Sequence, residues 1–483
     1  MNHPTSRRTF LKGMLAGAVV LGFDPHHRSW VTAAQAQPSF VDLPPFDGEL
    51  HTDSASRAAA ADDFGHIVQR EPLAVLKPGS VEDIVRMVRF ARQYGIQVAA
   101  RGQGHSAFGQ MQVAAGVVID MSTLNTIHSI DGDRAVVDAG ALWSDLLKAA
   151  LPRNLRPPVL TDFIELSIGG TLALGGIGGT SYRYGAQVDT ALELEVVTGE
   201  GQREVCSATH NRDLFEATLA GLGQCAIIVR ATLRLVPAAS SARFFRLFYS
   251  DLATFTRDQR LLIADGRFDH VGGQGAPNGS GGWTYILEAA NFFTPPAAPD
   301  NARLLAGLSY TPGSAQIVDR SFFDFANRFA AVVAAQKANG TWYYPHPRFG
   351  AFVPAATVDL FVSEVWTRLD PNDAAAIGIL LYPMPTARFT HPLMRLPDDR
   401  DAFFYILNHT AKPNADAVSR VVANHYTIYQ RGLELGITRY PFDAIPFSRH
   451  DWQRHFQPYW GRLVSTKRRY DPDNLLTPGQ GIF

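Results

Sequence analysis

The stretch that most constrains the fold is Val98-Ala-Ala-Arg-Gly-Gln-Gly-His-Ser-Ala-Phe-Gly-Gln110, a short apolar run that breaks into a glycine turn carrying one histidine. Gly102 and Gly104 admit backbone conformations closed to other residues. They let N–H groups approach an anion such as a diphosphate, with His105 at the rim of that anion site. Two plainer readings compete. Gly102, Gly104 and Ala107 fit G-x-G-x-x-A, the dinucleotide fingerprint, but that motif needs a helix directly after the glycines. Gly109 and Gly116 interrupt the segment downstream of the turn, and residues 117–121 read as another strand. The second reading, a surface turn with a solvated histidine, stays open for the hexapeptide taken alone.

The flanking pattern places the turn. Residues 73–76 read as a strand, Pro78-Gly79 as a turn, and Ser80 to Asp83 as a capping box opening a helix. Ile84, Val85, Val88 and Ala91 give that helix one apolar face, and Gly95 closes it. Residues 96–100 form the next predicted strand, so the glycine turn falls at the carboxyl end of a βαβ unit, where open α/β sheets bind ligands. Strands come next at 117–121, 126–130 and 134–139, the last two joined by an Asp131-Gly132 hairpin turn, and 143–150 reads as a helix.

Residues 160–179 form a second glycine-rich region, with six glycines in eleven residues from Gly169 to Gly179. A strand does not tolerate that density without reason. A backbone cradle for phosphates or a flat ring, including Gly169 and Gly170, stands against a flexible loop; the interleaved Ile168, Leu172, Leu174 and Ile177 favour a packed site. Asp162 precedes it in an otherwise uncharged apolar run, where an ionised carboxylate needs a partner; the alternative is a turn-capping aspartate. Beyond, 191–197 alternates as a half-buried strand, 213–219 reads as a short helix and 225–236 as a long apolar strand.

Ser6-Arg-Arg-Thr-Phe-Leu-Lys12, the apolar run 13–23 and Ala34-Gln-Ala36 read as a twin-arginine leader, residues 1–36, lying outside the fold and cleaved after Ala36. The apolar run is too short to span a bilayer, which needs about 20 residues, so no stable membrane anchor is expected. The leader points to a bacterial chain with a periplasmic or secreted destination. A net charge of −1 with scattered basic residues argues against nucleic acid and for a small-molecule substrate. Two cysteines, Cys206 and Cys225, make no disulfide framework, although one bridge stays open. The histidines His346, His391, His409, His450 and His455 match no metal-ligand spacing, and they and Trp342-Tyr-Tyr344 read as packing and capping. Nothing in the pattern fixes an oligomeric state.

Taken in order, RGQGHS at 101–106 with Gln110, LTDFIELSIGGTL at 160–172, LELEVVTGEG at 192–201, LFEATLAGLGQ at 214–224 and the terminal YDPDNLLTPGQGIF resemble the cytokinin dehydrogenases, FAD oxidoreductases of the vanillyl-alcohol-oxidase type. The resemblance implies an α+β chain: a PCMH-type FAD-binding domain in two segments, 46–240 and 446–483, around an inserted α+β substrate (cap) domain, 241–445. It implies FAD bound covalently through His105. The backbone of Arg101, Gly102, Gln103 and Gly104, with Ser106 and Gln110, would hold the cofactor, joined by Ser167, Ala173, Ile177, Ile228, Thr477 and Gln480. Ala173 lacks the hydroxyl usual at its position. No cysteine precedes Cys206, so only the histidyl link is expected.

Asp162 matches the family aspartate that accepts a hydrogen bond from the substrate amine and would remove its proton as hydride leaves. The implied activity is oxidation of an unsaturated secondary amine through an imine that water hydrolyses, with oxygen or a quinone-like molecule taking the electrons. The cap departs from the family. Phe268-Asp-His-Val-Gly-Gly273 stands where the family has F-D-Y-V-E-G, so Gly272 replaces a substrate-facing glutamate. His346-Pro-Arg-Phe-Gly350 replaces H-P-W-L-N, and the nearest counterpart of a tyrosine before the closing helix is Phe447. These losses fall on the side that would read an adenine ring. They leave open an oxidase or dehydrogenase of another alcohol, amine or sugar, or a binding protein with structural flavin. Arg348, if not a solvated surface charge, would favour an acidic or carbonyl-bearing substrate.

Overall fold

The computed structural model describes residues 20–32 and 40–483. Its first sheet has four strands in the order Glu49–His51, Ala74–Lys77, Val117–Asp120, Val98–Arg101, the last three parallel. Helix Val81–Gln93 crosses from the second of these to the fourth, burying Ile84, Val85, Met87, Val88 and Ala91. The expected capping box does not form, because Ser80 makes no side-chain cap bond. Asp83, fully buried, instead accepts from the N–H groups of Asp47, Gly48 and Gly79, and so ties the helix start to the preceding loop.

A second sheet is antiparallel, in the order Arg203–Ser207, Ala191–Thr198, Ala226–Arg234, Arg134–Asp138, Ile127–Asp131. Gly132, at φ +54°, makes the hairpin turn. Helix Trp143–Ala150 forms over the expected residues. The glycine-rich region becomes a short helix, Ile168–Leu174, closed by Gly175 at φ +142° and Gly176 at φ +77°. Cys206 and Cys225 are buried free thiols, so no bridge forms between them.

Between 241 and 439 eight strands, each antiparallel to its neighbours, form one sheet. On its neighbouring strands Ala374–Pro385 and Asp401–Ala411, side chains alternate between two sides. Leu380, Tyr382, Phe404, Ile406 and Asn408 face a cavity. Tyr405 packs against Phe361 of helix Val358–Arg368, and Gln259 of helix Leu252–Asp265 donates to the Leu381 carbonyl, so helices cover the opposite face.

The chain end returns to the first sheet. Val98 N–H donates to Leu475 O at 2.9 Å and Thr477 N–H to Val98 O at 2.8 Å, extending the edge of that sheet. Buried Asp471 holds this tail, accepting from the N–H groups of Leu475 and Leu476 and from Lys467 Nζ. Two helices precede this tail, Arg449–His455 and Trp460–Tyr470, separated around Pro458, which has no N–H to offer.

Part of the expected leader is folded. Val20–Asp24 and Ser29–Thr32 form a hairpin whose Phe23 and Trp30 pack on each other at 4.9 Å and against Phe90 of the crossover helix. The expectation that 1–36 stands apart from the fold therefore fails for 20–32, because these aromatic residues find an apolar face to bury on. Arg7, Arg8 and the Ala34 to Ala36 site lie outside the described residues. No helix among the described residues is long and apolar enough to cross a membrane.

Burial sets a pH dependence. It pushes His346 and His409 down to about 4 and His455 down to about 3, in each case chiefly by desolvation of the charged ring. An unfolded histidine titrates near 6.5, so between that value and 4 the unfolded chain binds more protons than the folded one. Stability is then lost as pH falls, by up to about 1.4 kcal/mol per unit for each ring. The thermal midpoint should fall steadily from pH 6.5 to 4 in calorimetry; a midpoint that does not move across that interval would contradict the burial of these rings.

Candidate active site

The glycine turn is built by a residue that no local sequence pattern singles out. Asp63, 3% exposed, accepts from the N–H groups of Gly65 and Gly109 and from Ser106 Oγ at 2.7 to 3.0 Å. Its carboxyl is raised by burial, and these three donors oppose the rise. Gly104 takes φ +63°, and a Cβ on Gly102 would stand 2.0 Å from Ser167 Oγ. So pinned, the N–H groups from Gly102 to Ser106 donate to no protein acceptor among the described residues. These five residues line a cavity of about 410 Å³, within the usual range for small-molecule sites.

Of the expected cofactor residues, Gly102, Gln103, Gly104, His105, Ser106, Gln110, Ser167, Gly169, Gly170, Ala173, Ile177, Ile228, Thr477 and Gln480 all line this cavity. Arg101 does not. Its guanidinium turns back beneath Gly104 and donates to the Asp62 carbonyl, so it braces the turn. Gln110 is engaged by protein at both ends of its amide, accepting from Phe108 N–H and donating to Asp443 O, and meets the cavity by packing.

His105 sits among aromatic rings, with centroids at 4.2 Å to Phe64, 5.2 Å to Phe163 and 6.1 Å to Trp342. His346 stacks on the far side of Phe64 at 4.2 Å. Burial, and then the charge of Arg348, hold the His105 ring well below its ordinary range, so it is a neutral imidazole with a lone pair to offer. Trp342 and His346, read from the sequence as packing and capping, are in the cavity wall.

Asp162 and Arg348 line the same cavity. Arg348 Nη1 lies 3.4 Å from His105 Nε2, and its guanidinium lies 4.4 Å over Phe64. Desolvation pulls it down to about 10, and it has no carboxylate partner among the described residues. It is not a solvated surface charge. Asp162 is 12% exposed, with one oxygen accepting from Arg328 Nη2 and the other from the Tyr382 hydroxyl.

Two expected substrate positions lie elsewhere. Gly272 is beneath the Tyr382 ring, outside the cavity, and its cross-strand partner is buried Glu288. Phe447 packs on Arg439 and Trp452; the nearby tyrosine that does line the cavity is Tyr440, whose hydroxyl accepts from Gly176 N–H. Arg328, Tyr382 and Asp63 carry no local motif. The one available signal for the first two was a charge and a hydroxyl within mostly apolar cap segments.

The residues fit FAD. A row of unpaired N–H groups, a cradle with no room for side chains, apolar walls and a neutral histidine at the rim suit a diphosphate joined to a flat ring. A model for an FAD binding domain matches residues 72–207, and one described as cytokinin dehydrogenase 1, FAD and cytokinin binding, matches residues 274–483. An uncharacterised oxidoreductase of the fasciation locus of Rhodococcoides fascians is 38% identical, over 89% of this chain and 98% of its own. Cytokinin dehydrogenase 7 of Oryza sativa subsp. japonica is 34% identical over 90% and 91%, and cytokinin dehydrogenase 2 of Arabidopsis thaliana 34% over 92% and 95%. The crystal structure of 6-hydroxy-D-nicotine oxidase from Arthrobacter nicotinovorans shares the fold, with TM-score 0.70 at 19% identity over 89% of this chain and 96% of that one. With its FAD-binding domain and its cytokinin-binding type of cap, the chain belongs to the cytokinin dehydrogenase family of FAD-dependent oxidoreductases.

Proposed function

We propose that this oxidoreductase oxidises an unsaturated secondary amine of cytokinin type, with FAD attached through His105. The observation that carries the reading is that Asp162 and His105 line one cavity, with the carboxylate in a mostly apolar wall. FAD, when bound, accepts a hydride. Asp162 accepts the substrate N–H and takes its proton as the adjacent carbon loses that hydride, leaving an imine that water cleaves to an aldehyde and a primary amine. Tyr382, held well above its ordinary range chiefly by burial, stays protonated and orients Asp162 as a donor. Leu380, Phe404 and Ile406 supply an apolar wall that keeps water from the reacting carbon. Oxygen or a quinone-like acceptor reoxidises the enzyme, and the Arg7-Arg8 leader supports export to the periplasm or beyond.

Asp162→Asn should retain flavin and be reduced about 10² to 10⁴ times more slowly by isopentenyladenine in anaerobic stopped flow. Reduction at the wild-type rate would remove Asp162 from the chemistry.

Arg348 favours a second reading, in which the substrate is another alcohol or amine carrying a carboxylate or carbonyl group. A cation enclosed in a ligand cavity without an anion gains most from a ligand that brings one. In a substrate panel, Arg348→Ala should lose any preference for acidic over neutral substrates. A panel in which wild type and variant rank substrates alike would end this reading.

A further inference from the structure

The cap holds both oxygens of Asp162. Arg328 lies between helices Phe322–Ala326 and Ala330–Ala338, and its guanidinium is enclosed by the rings of Phe325 at 4.9 Å, Phe329 at 5.3 Å and Phe244 at 5.9 Å. A cation in such a shell needs an anion in contact, and Asp162 is the one carboxylate within ion-pair distance of it among the described residues. On the other side, the Tyr382 ring reaches Asp162 because residue 272 is glycine: a Cβ there would stand 2.8 Å from the ring edge.

We propose that Arg328 is a positioning residue for the oxidation, holding the Asp162 carboxylate as an anion aimed into the cavity while Tyr382 fixes its second oxygen. The proposal rests on the reading of Asp162 as the base. Each carboxylate oxygen keeps lone-pair capacity beyond one donor, so the substrate N–H still has an acceptor. The other titratable groups around this carboxylate cannot replace Arg328. His270, from strand His270–Pro277, is held well below its ordinary range by burial and is neutral. Glu288, from strand Trp283–Phe293, is raised by burial and is an acid. Arg246, from strand Ser241–Tyr249, faces Glu288 at 3.4 Å. Arg328 also precedes helix Ala330–Ala338, whose Val332, Val333 and Gln336 line the cavity. The same ion pair therefore ties the base to the cavity wall.

The test compares Arg328→Gln and Arg328→Lys as flavin-loaded proteins, reduced anaerobically by isopentenyladenine across pH. The glutamine variant should be at least about tenfold slower at neutral pH, with the acid limb of its profile moved up by about one to three units, while lysine keeps the limb near wild type. In infrared spectra without substrate, Arg328→Gln should gain a protonated-carboxyl band that disappears when Asp162→Asn is added; this arm decides even if isopentenyladenine is not oxidised. An unmoved acid limb, or no such band, would overturn the proposal. Should the glutamine variant fail to fold, the lysine variant decides: a limb near wild type supports a role for the charge, and one displaced by about a unit or more overturns it. Wild-type reduction by Asp162→Asn alone would fail the reading beneath the proposal and not the proposal's own geometry.

Discussion

The five peptide N–H groups from Gly102 to Ser106, in a turn that lines the cavity, have no protein acceptor among the described residues, and much of the FAD-binding half holds that turn in place. Polar backbone of this kind is costly unless something satisfies it, so the turn must be fixed by groups outside it. Asp63 does this from below, at its own electrostatic expense. Arg101 braces the turn from behind, and the returning tail clamps the adjacent strand through Val98. Widely separated parts of the chain thus converge on one short loop.

The cap meets this framework with charge placed sparingly. Its sheet offers mostly apolar side chains to the cavity; Asp162, from the FAD-binding segment, is paired by the cap's Arg328 and Tyr382, while the cap's Arg348 has no carboxylate partner among the described residues. A paired carboxylate is a fixed part of the protein. An enclosed, unpaired guanidinium is a vacancy of charge that a ligand can fill. Of the replacements at Gly272, Arg348 and Gly350, only Arg348 lines the cavity, so it alone of the three changes the charge of the cavity wall.

Local pattern made the βαβ unit and helix Trp143–Ala150 legible, because each buries a face against its immediate neighbours. That the glycine turn, Asp162 and nearly every residue expected to hold the cofactor share one cavity was legible too, since most of them come in contiguous motifs. Asp63, Arg328 and Tyr382 were not: each acts on a residue 43 or more positions away, and periodicity says nothing about which strands a sheet brings together. The failed capping box at Ser80 has the same origin, since Asp83 spends its carboxylate on a distant loop. Gly272 misled for a different reason. Its register partner and the ring above it, and not the residue itself, define what that position does.

Denaturing the purified protein in acid tests most directly the proposal that this cavity holds FAD on His105. Yellow flavin should remain with the precipitated wild-type protein and pass into the supernatant from His105→Ala. Flavin released from the wild type would contradict the covalent link, and protein that carries no flavin after expression with FAD available would contradict the account of the cavity itself.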